Sequence, residues 1–198
     1  MDSRILAKPD HEHPTGKASY KKQTNEVYPE KEIWDILTLA EPVACVLHAY
    51  KRLPTLFVAR NITVFGAGPM GILHVLQARQ EFPSASIAIV EPNAVRRQLA
   101  GRLLPFASVH NSVEKIEETD LAVAATGNPQ APLTAIRTTA AAGVVLLFSG
   151  PNHRNPSQVP RYEGHDLDEI HRNEEVKITS RAIRLIGSNG YQPYEIGE

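Results

Sequence analysis

The chain has 198 residues, 42% of them hydrophobic and 22% charged, with a formal net charge of −1. That length allows one sizeable core, or one domain with appendages, and the near-neutral balance gives no basic field to recruit nucleic acid or anionic lipid. The one cysteine, Cys45, excludes an intramolecular disulfide framework and any multi-thiolate zinc cluster supplied by this chain alone, and fits a reducing cytoplasm.

Residues 1–35 are polar, rich in Lys, His, Glu and Pro, and show no sustained period. Alone they offer too little apolar area to offset the entropy of ordering, so an irregular extension is expected. "MDSRILAKPDHEHPTGK" lacks the apolar core of a signal peptide, and no stretch approaches the ~20 apolar residues of a membrane helix. His11, Glu12 and His13 could hold a metal weakly; a solvated tail is the simpler reading.

From Trp34 the texture changes, and residues 36–198 read as one domain. "EPVACVLHAYKRL" places Val43, Val46, Leu47 and Tyr50 on one helical stripe, with Pro42 in a first-turn position. Short apolar runs follow at 62–65, 87–90, 121–125, 144–148 and 183–186. Most are continuous rather than alternating, as expected of strands covered on both faces. Helices are expected between them, at Gly71–Arg79, at Ala94–Leu104 carrying Val95, Leu99, Leu103 and Leu104, and over "QAPLTAIRTTAAAG" to a stop at Gly143. Strand–helix alternation of this kind predicts an α/β fold, a doubly wound parallel sheet.

The run "ITVFGAGPMGILHVL" carries the chemistry. Gly66 permits a tight turn, Gly68 lets a pyrophosphate approach the backbone, and Gly71 lets the helix pack closely. Pro69 suits the first helical turn, where its missing N–H has no intrahelical partner, and Met70 continues that turn. The helix then presents free N–H groups and its positive end to phosphate. Glu91 closes the next strand 20 residues beyond Gly71, near the place of a ribose-binding acid. A carboxylate there favours NAD over NADP; Arg96 and Arg97 soften that preference by offering a phosphate partner. A Rossmann-type fold whose turn binds another ligand, or none, stays open.

Taken in order, these motifs resemble the cofactor domain of the medium-chain, zinc-type alcohol and polyol dehydrogenases, nearest the sorbitol and threonine dehydrogenase branch. "LAEPVACVLHAYKR" is similar to the helix entering that domain, "VFGAGPMG" to its fingerprint and "VEPNAVRRQLA" to its ribose segment, with Glu91 and Arg96 in register. "DLAVAATGNPQA" resembles the following strand and loop, and "GVVLLFSG" and "LIGSNG" the closing strands; the likeness spans roughly residues 36–190. It implies hydride transfer between a secondary alcohol or polyol and a nicotinamide dinucleotide, with Thr126 and Gly127 beside the nicotinamide half and zinc as a second cofactor. A homodimer through the last strand, "IRLI", is also expected from it.

The departures are equally informative. The family's catalytic domain, which holds zinc through a cysteine and a histidine–glutamate pair, has no counterpart here, and about three protein ligands are needed. Glu41 matches a glutamate found near that zinc and would be an orphan ligand, or simply an acid near a helix N-terminus. Cys45 and His48 could share its helix face. A module that holds NAD(H) without chemistry is therefore the second expectation, and a Rossmann-type methyltransferase the third. His153 and His171 are the remaining acid–base candidates.

Overall fold

The computed structural model describes residues 20–21, 27–28, 30–150, 159–172 and 174–190. The chain divides into two compact units, Met1–Leu39 and Ala40–Glu198. In the first, strands β1 (Tyr20–Lys21) and β2 (Val27–Tyr28) pair antiparallel, and helix α1 covers Glu30–Leu37. The histidine pair at 11 and 13 lies outside the described residues.

The second unit is built on a seven-stranded sheet. Its strands are β3 (Asn61–Phe65), β4 (Ser86–Val90), β5 (Ser108–His110), β6 (Thr119–Ala124), β7 (Thr139–Leu147), β10 (Glu175–Ile178) and β11 (Ile183–Gly187). They lie in the order β10-β11-β7-β6-β3-β4-β5, all parallel except β10, which pairs antiparallel with β11. The chain steps outward from β3 to β5, then returns to β6 on the other side of β3. That reversal makes the doubly wound α/β architecture, with helices on both faces. A small hairpin, β8 (Arg161–Tyr162) and β9 (His165–Asp166), precedes helix α6 (Leu167–His171).

One face is covered by α2 (Ala40–Lys51), α3 (Pro69–Glu81) and α4 (Ala94–Leu103). There Val46, Val75 and Ala100 pack on Ile62, Ile89 and Val123. The other face carries α5 (Gln130–Thr138) and α6, with Ile136 and Ile170 against Val145 and Leu185. His74 of α3 is fully buried on the first face. Its ring lies edge-on to Phe148 at 4.3 Å, and neither ring nitrogen has a hydrogen-bond partner among the described residues. Burial therefore holds the imidazole neutral and drives its pKa down to about 3.

Three expectations are corrected, and the orientation of one helix is added. The helical stretch Ile33–Lys51, 19 residues with a mean hydropathy of 1.2, has the length and composition to cross a membrane; its α2 part buries Ala44, Val46, Ala49 and Tyr50 in the core. Ala100 of α4 and its C-cap Leu104 are buried, while Val95, Leu99 and Leu103 face solvent. A 3–4 spacing marks a stripe without saying which side meets the sheet, and small Ala100 lets this helix close on its other side. The helix expected to run to Gly143 ends at Thr138, because β7 begins at Thr139 and absorbs 140–143 as a bulge opposite Thr119–Leu121. Finally, β4 alternates instead of being covered twice. Residues 111–118, the whole crossover from β5 to β6, contain no helix. Thr63, Ala88 and Ser108 therefore floor a cleft of about 270 Å³ where a helix would otherwise lie.

Candidate dinucleotide site

The switch point between β3 and β6 is where an open α/β sheet leaves a crevice beyond its strand ends. A cleft of about 500 Å³ lies there, and Gly66, Glu91, Arg96 and Thr126 line it together. Four of the residues expected from sequence to share a site do so.

Gly66 and Gly71 each answer a local demand, and Gly68 leaves a space open. Gly66 has φ 106°, and a Cβ on it would stand 2.8 Å from the Ala125 carbonyl oxygen. Its N–H donates to Val90 O at 2.9 Å, tying the turn to β4. A Cβ on Gly71 would stand 2.0 Å from Gly66 O, so this glycine lets α3 close on the loop itself. Gly68 is the N-cap of α3, with φ −75° and ψ −179°, a conformation open to any residue. A Cβ there would meet nothing within 4 Å among the described residues. Pro69 opens the helix, no side chain among the described residues caps it, and Met70 packs on the core. The first-turn amides thus have no side-chain cap among the described residues.

Glu91 is buried beneath the loop. Its Oε2 accepts from Ala67 N and its Oε1 from Asn93 N, both at 2.9 Å. The carboxylate therefore braces the glycine turn against the start of α4, and each oxygen keeps a further lone pair. Arg96, mostly exposed, brings Nη1 to 3.9 Å from Glu91 Oε2. Arg97 is committed elsewhere, donating to Glu91 O at 2.9 Å and Pro92 O at 2.6 Å. Thr126 sits in the turn after β6, where its Oγ1 accepts from Asn128 N at 3.4 Å; Gly127 beside it is exposed. Sequence reasoning missed Asn93, Asn111, Ser112 and Asn128 on the cleft wall. For Asn93 a signal existed: it N-caps α4, its Oδ1 accepting from Arg96 N at 3.1 Å.

The other candidates lie apart from this cleft. Glu41 is exposed in the first turn of α2, and the described residues contain no group of three His, Cys, Asp or Glu able to hold a metal ion. They do not build a zinc site. His171 is largely buried rather than on a surface, its Nε2 donating to Phe148 O at 2.9 Å, so it anchors the strand end leading to Gly150. His153 lies outside the described residues.

Sheet order, switch-point crevice and glycine turn together define a Rossmann-type domain. The solved structures it is similar to carry the same fold. L-idonate 5-dehydrogenase from Escherichia coli matches with a TM-score of 0.58 and 20% identity, over 86% of this chain and 46% of its own. 2R,3R-butanediol dehydrogenase from Bacillus subtilis matches at 0.56 and 21%, over 87% and 48%. TarJ from Staphylococcus aureus, in complex with NADPH, matches at 0.58 and 17%, over 81% and 47%. The chain thus spans about half the length of these neighbours. No protein-family model and no curated protein matches it.

Proposed function

We propose that the chain is the nicotinamide-dinucleotide-binding part of a zinc-type alcohol or polyol dehydrogenase of the cytoplasm, taking NAD in preference to NADP. The observation that supports this most is the open place at Gly68, where the backbone meets the positive end of α3 and nothing in the described protein fills the space of a Cβ. In this reading the backbone of Gly66–Gly71 cradles the pyrophosphate. Glu91 and Arg96 flank the adenosine ribose, and Thr126 and Gly127 border the nicotinamide half. A carboxylate at Glu91 disfavours a 2′-phosphate. The dinucleotide supplies the ring that accepts or donates hydride; the residues here bind and orient it. The alcohol or polyol substrate is carried over from the neighbours, and no step through zinc is assigned to this chain.

A second reading, a module that holds NAD(H) without turning it over, is favoured by the lack of a three-ligand cluster among the described residues. One experiment serves both. NADH titrated into the full chain should quench protein fluorescence saturably and more strongly than NADPH does. Gly68→Asp should weaken NADH at least about tenfold while shifting stability by no more than about 0.5 kcal/mol, because the new side chain meets the ligand and not the protein. No saturable binding at millimolar NADH sinks both readings; turnover of a polyol panel by this chain in the presence of zinc would overturn the second.

A further inference from the structure

A second large cleft, of about 550 Å³, lies at the N-terminal ends of β7 and β11, the end of the sheet away from the glycine loop. Its lining is mainly apolar, with Phe57 from the segment after α2, Val144 of β7, Ile178 of β10 and Ile183 of β11. Its volume is that of an ordinary small-molecule site.

Three features distinguish it. Lys177 and Arg184 are direct partners across the antiparallel β10–β11 pair, and both line the cleft. Like charges placed opposite one another in a sheet repel. Arg184 is relieved by Glu175, whose Oε1 accepts from its Nη1 at 2.9 Å, but Lys177 has no carboxylate partner among the described residues. Next, Leu56, Ala142 and Ala182, all on the lining, hold φ of 66°, 64° and 54°. Side chains rarely adopt that left-handed conformation, and such strain gathers where a ligand is held. Last, Leu56 stands on the lip with 94% of its surface exposed, an apolar side chain presented to water beside an apolar cleft.

We propose that this cleft binds a small amphiphilic carboxylate, with its hydrocarbon part against Pro54, Leu56 and Phe57 and its carboxylate between Lys177 and Arg184. The anion turns a repulsive cross-strand pair into a bridged one, and the apolar part covers Leu56 and the floor. This site is independent of the dinucleotide cleft and stands or falls without it.

The test uses the full chain with methyl-labelled Val, Leu and Ile, titrated with octanoate and, separately, with 1-octanol. Octanoate should move the methyl signals of Leu56, Val144, Ile178 and Ile183 saturably and bind about three- to fivefold more tightly than octanol. Lys177→Gln should bring the two ligands to parity. Raising the salt to roughly 0.5 M should narrow the gap in the unaltered chain, which checks the charge effect without a variant. The proposal is overturned by an absence of saturable shifts, by equal affinity for octanoate and octanol in the unaltered chain, or by shifts centred on Val90 at the glycine-loop cleft.

Discussion

The two faces of the sheet at β4 are built on different terms. Ile87 and Ile89 point into the layer of α3 and α4 and are all but inaccessible to water. Ser86 and Ala88 point the other way, toward a crossover with no helix in it, and share their cleft with Ser108 and His110. There the hydroxyls satisfy one another: Thr63 Oγ1 and Thr119 Oγ1 lie 2.7 Å apart, and His110 Nε2 lies 3.0 Å from Ser108 Oγ. A strand's composition thus reports what covers each face, and one short connection decides whether its side chains are core or floor.

That contrast can be broken most forcibly through His74, on the closed face. Above pH 6.5 its imidazole is neutral in both the folded and the unfolded chain, so pH has no leverage through it. Between 6.5 and the folded value near 3 only the unfolded chain takes the proton, and stability falls as pH falls. Urea unfolding should show about 3 kcal/mol lost through this group between pH 7 and 4.5. His74→Leu should remove that part of the acid sensitivity; superimposable pH profiles would count against a buried neutral imidazole.

An effect of about the same size is expected from truncation. Ile89→Ala, on the closed face, should lower stability by about 3 kcal/mol, and Ser108→Ala, on the open face, by no more than about 0.5 kcal/mol. Equal losses in the two variants would erase the distinction between the faces. Smaller, at about 2 kcal/mol, is Gly71→Ala, whose Cβ would have to displace the Gly66 carbonyl. A thermal midpoint unchanged by that substitution would show that α3 does not need to sit so close to the loop.

The same contrast explains what could be read from the sequence. The run from Asn61 to Gly71 was legible because most of its residues answer a local demand: a buried strand, a positive φ, a close approach, a preset first turn. Glu91 was legible as a strand-end acid. Its grip on Ala67 N and Asn93 N was not, because reaching two separate amides depends on tertiary placement of the loop. β5 and β10 went unseen because three or four residues carry too little period to register. That Val95, Leu99 and Leu103 face water was not legible, because an apolar stripe has the same spacing whether it faces protein or water.

The short strand β10 has a consequence for how copies of this chain can meet. It covers the flank of β11, so "IRLI" is an interior strand and a homodimer built by sheet continuation would have to start from β10. That rim is four residues long and bears Glu175 and Lys177. The opposite rim, β5, is only three residues long. A stray strand arriving at either side finds few amides to grip and, at β10, two charges to bury, so the domain is protected against growing edge to edge into fibres.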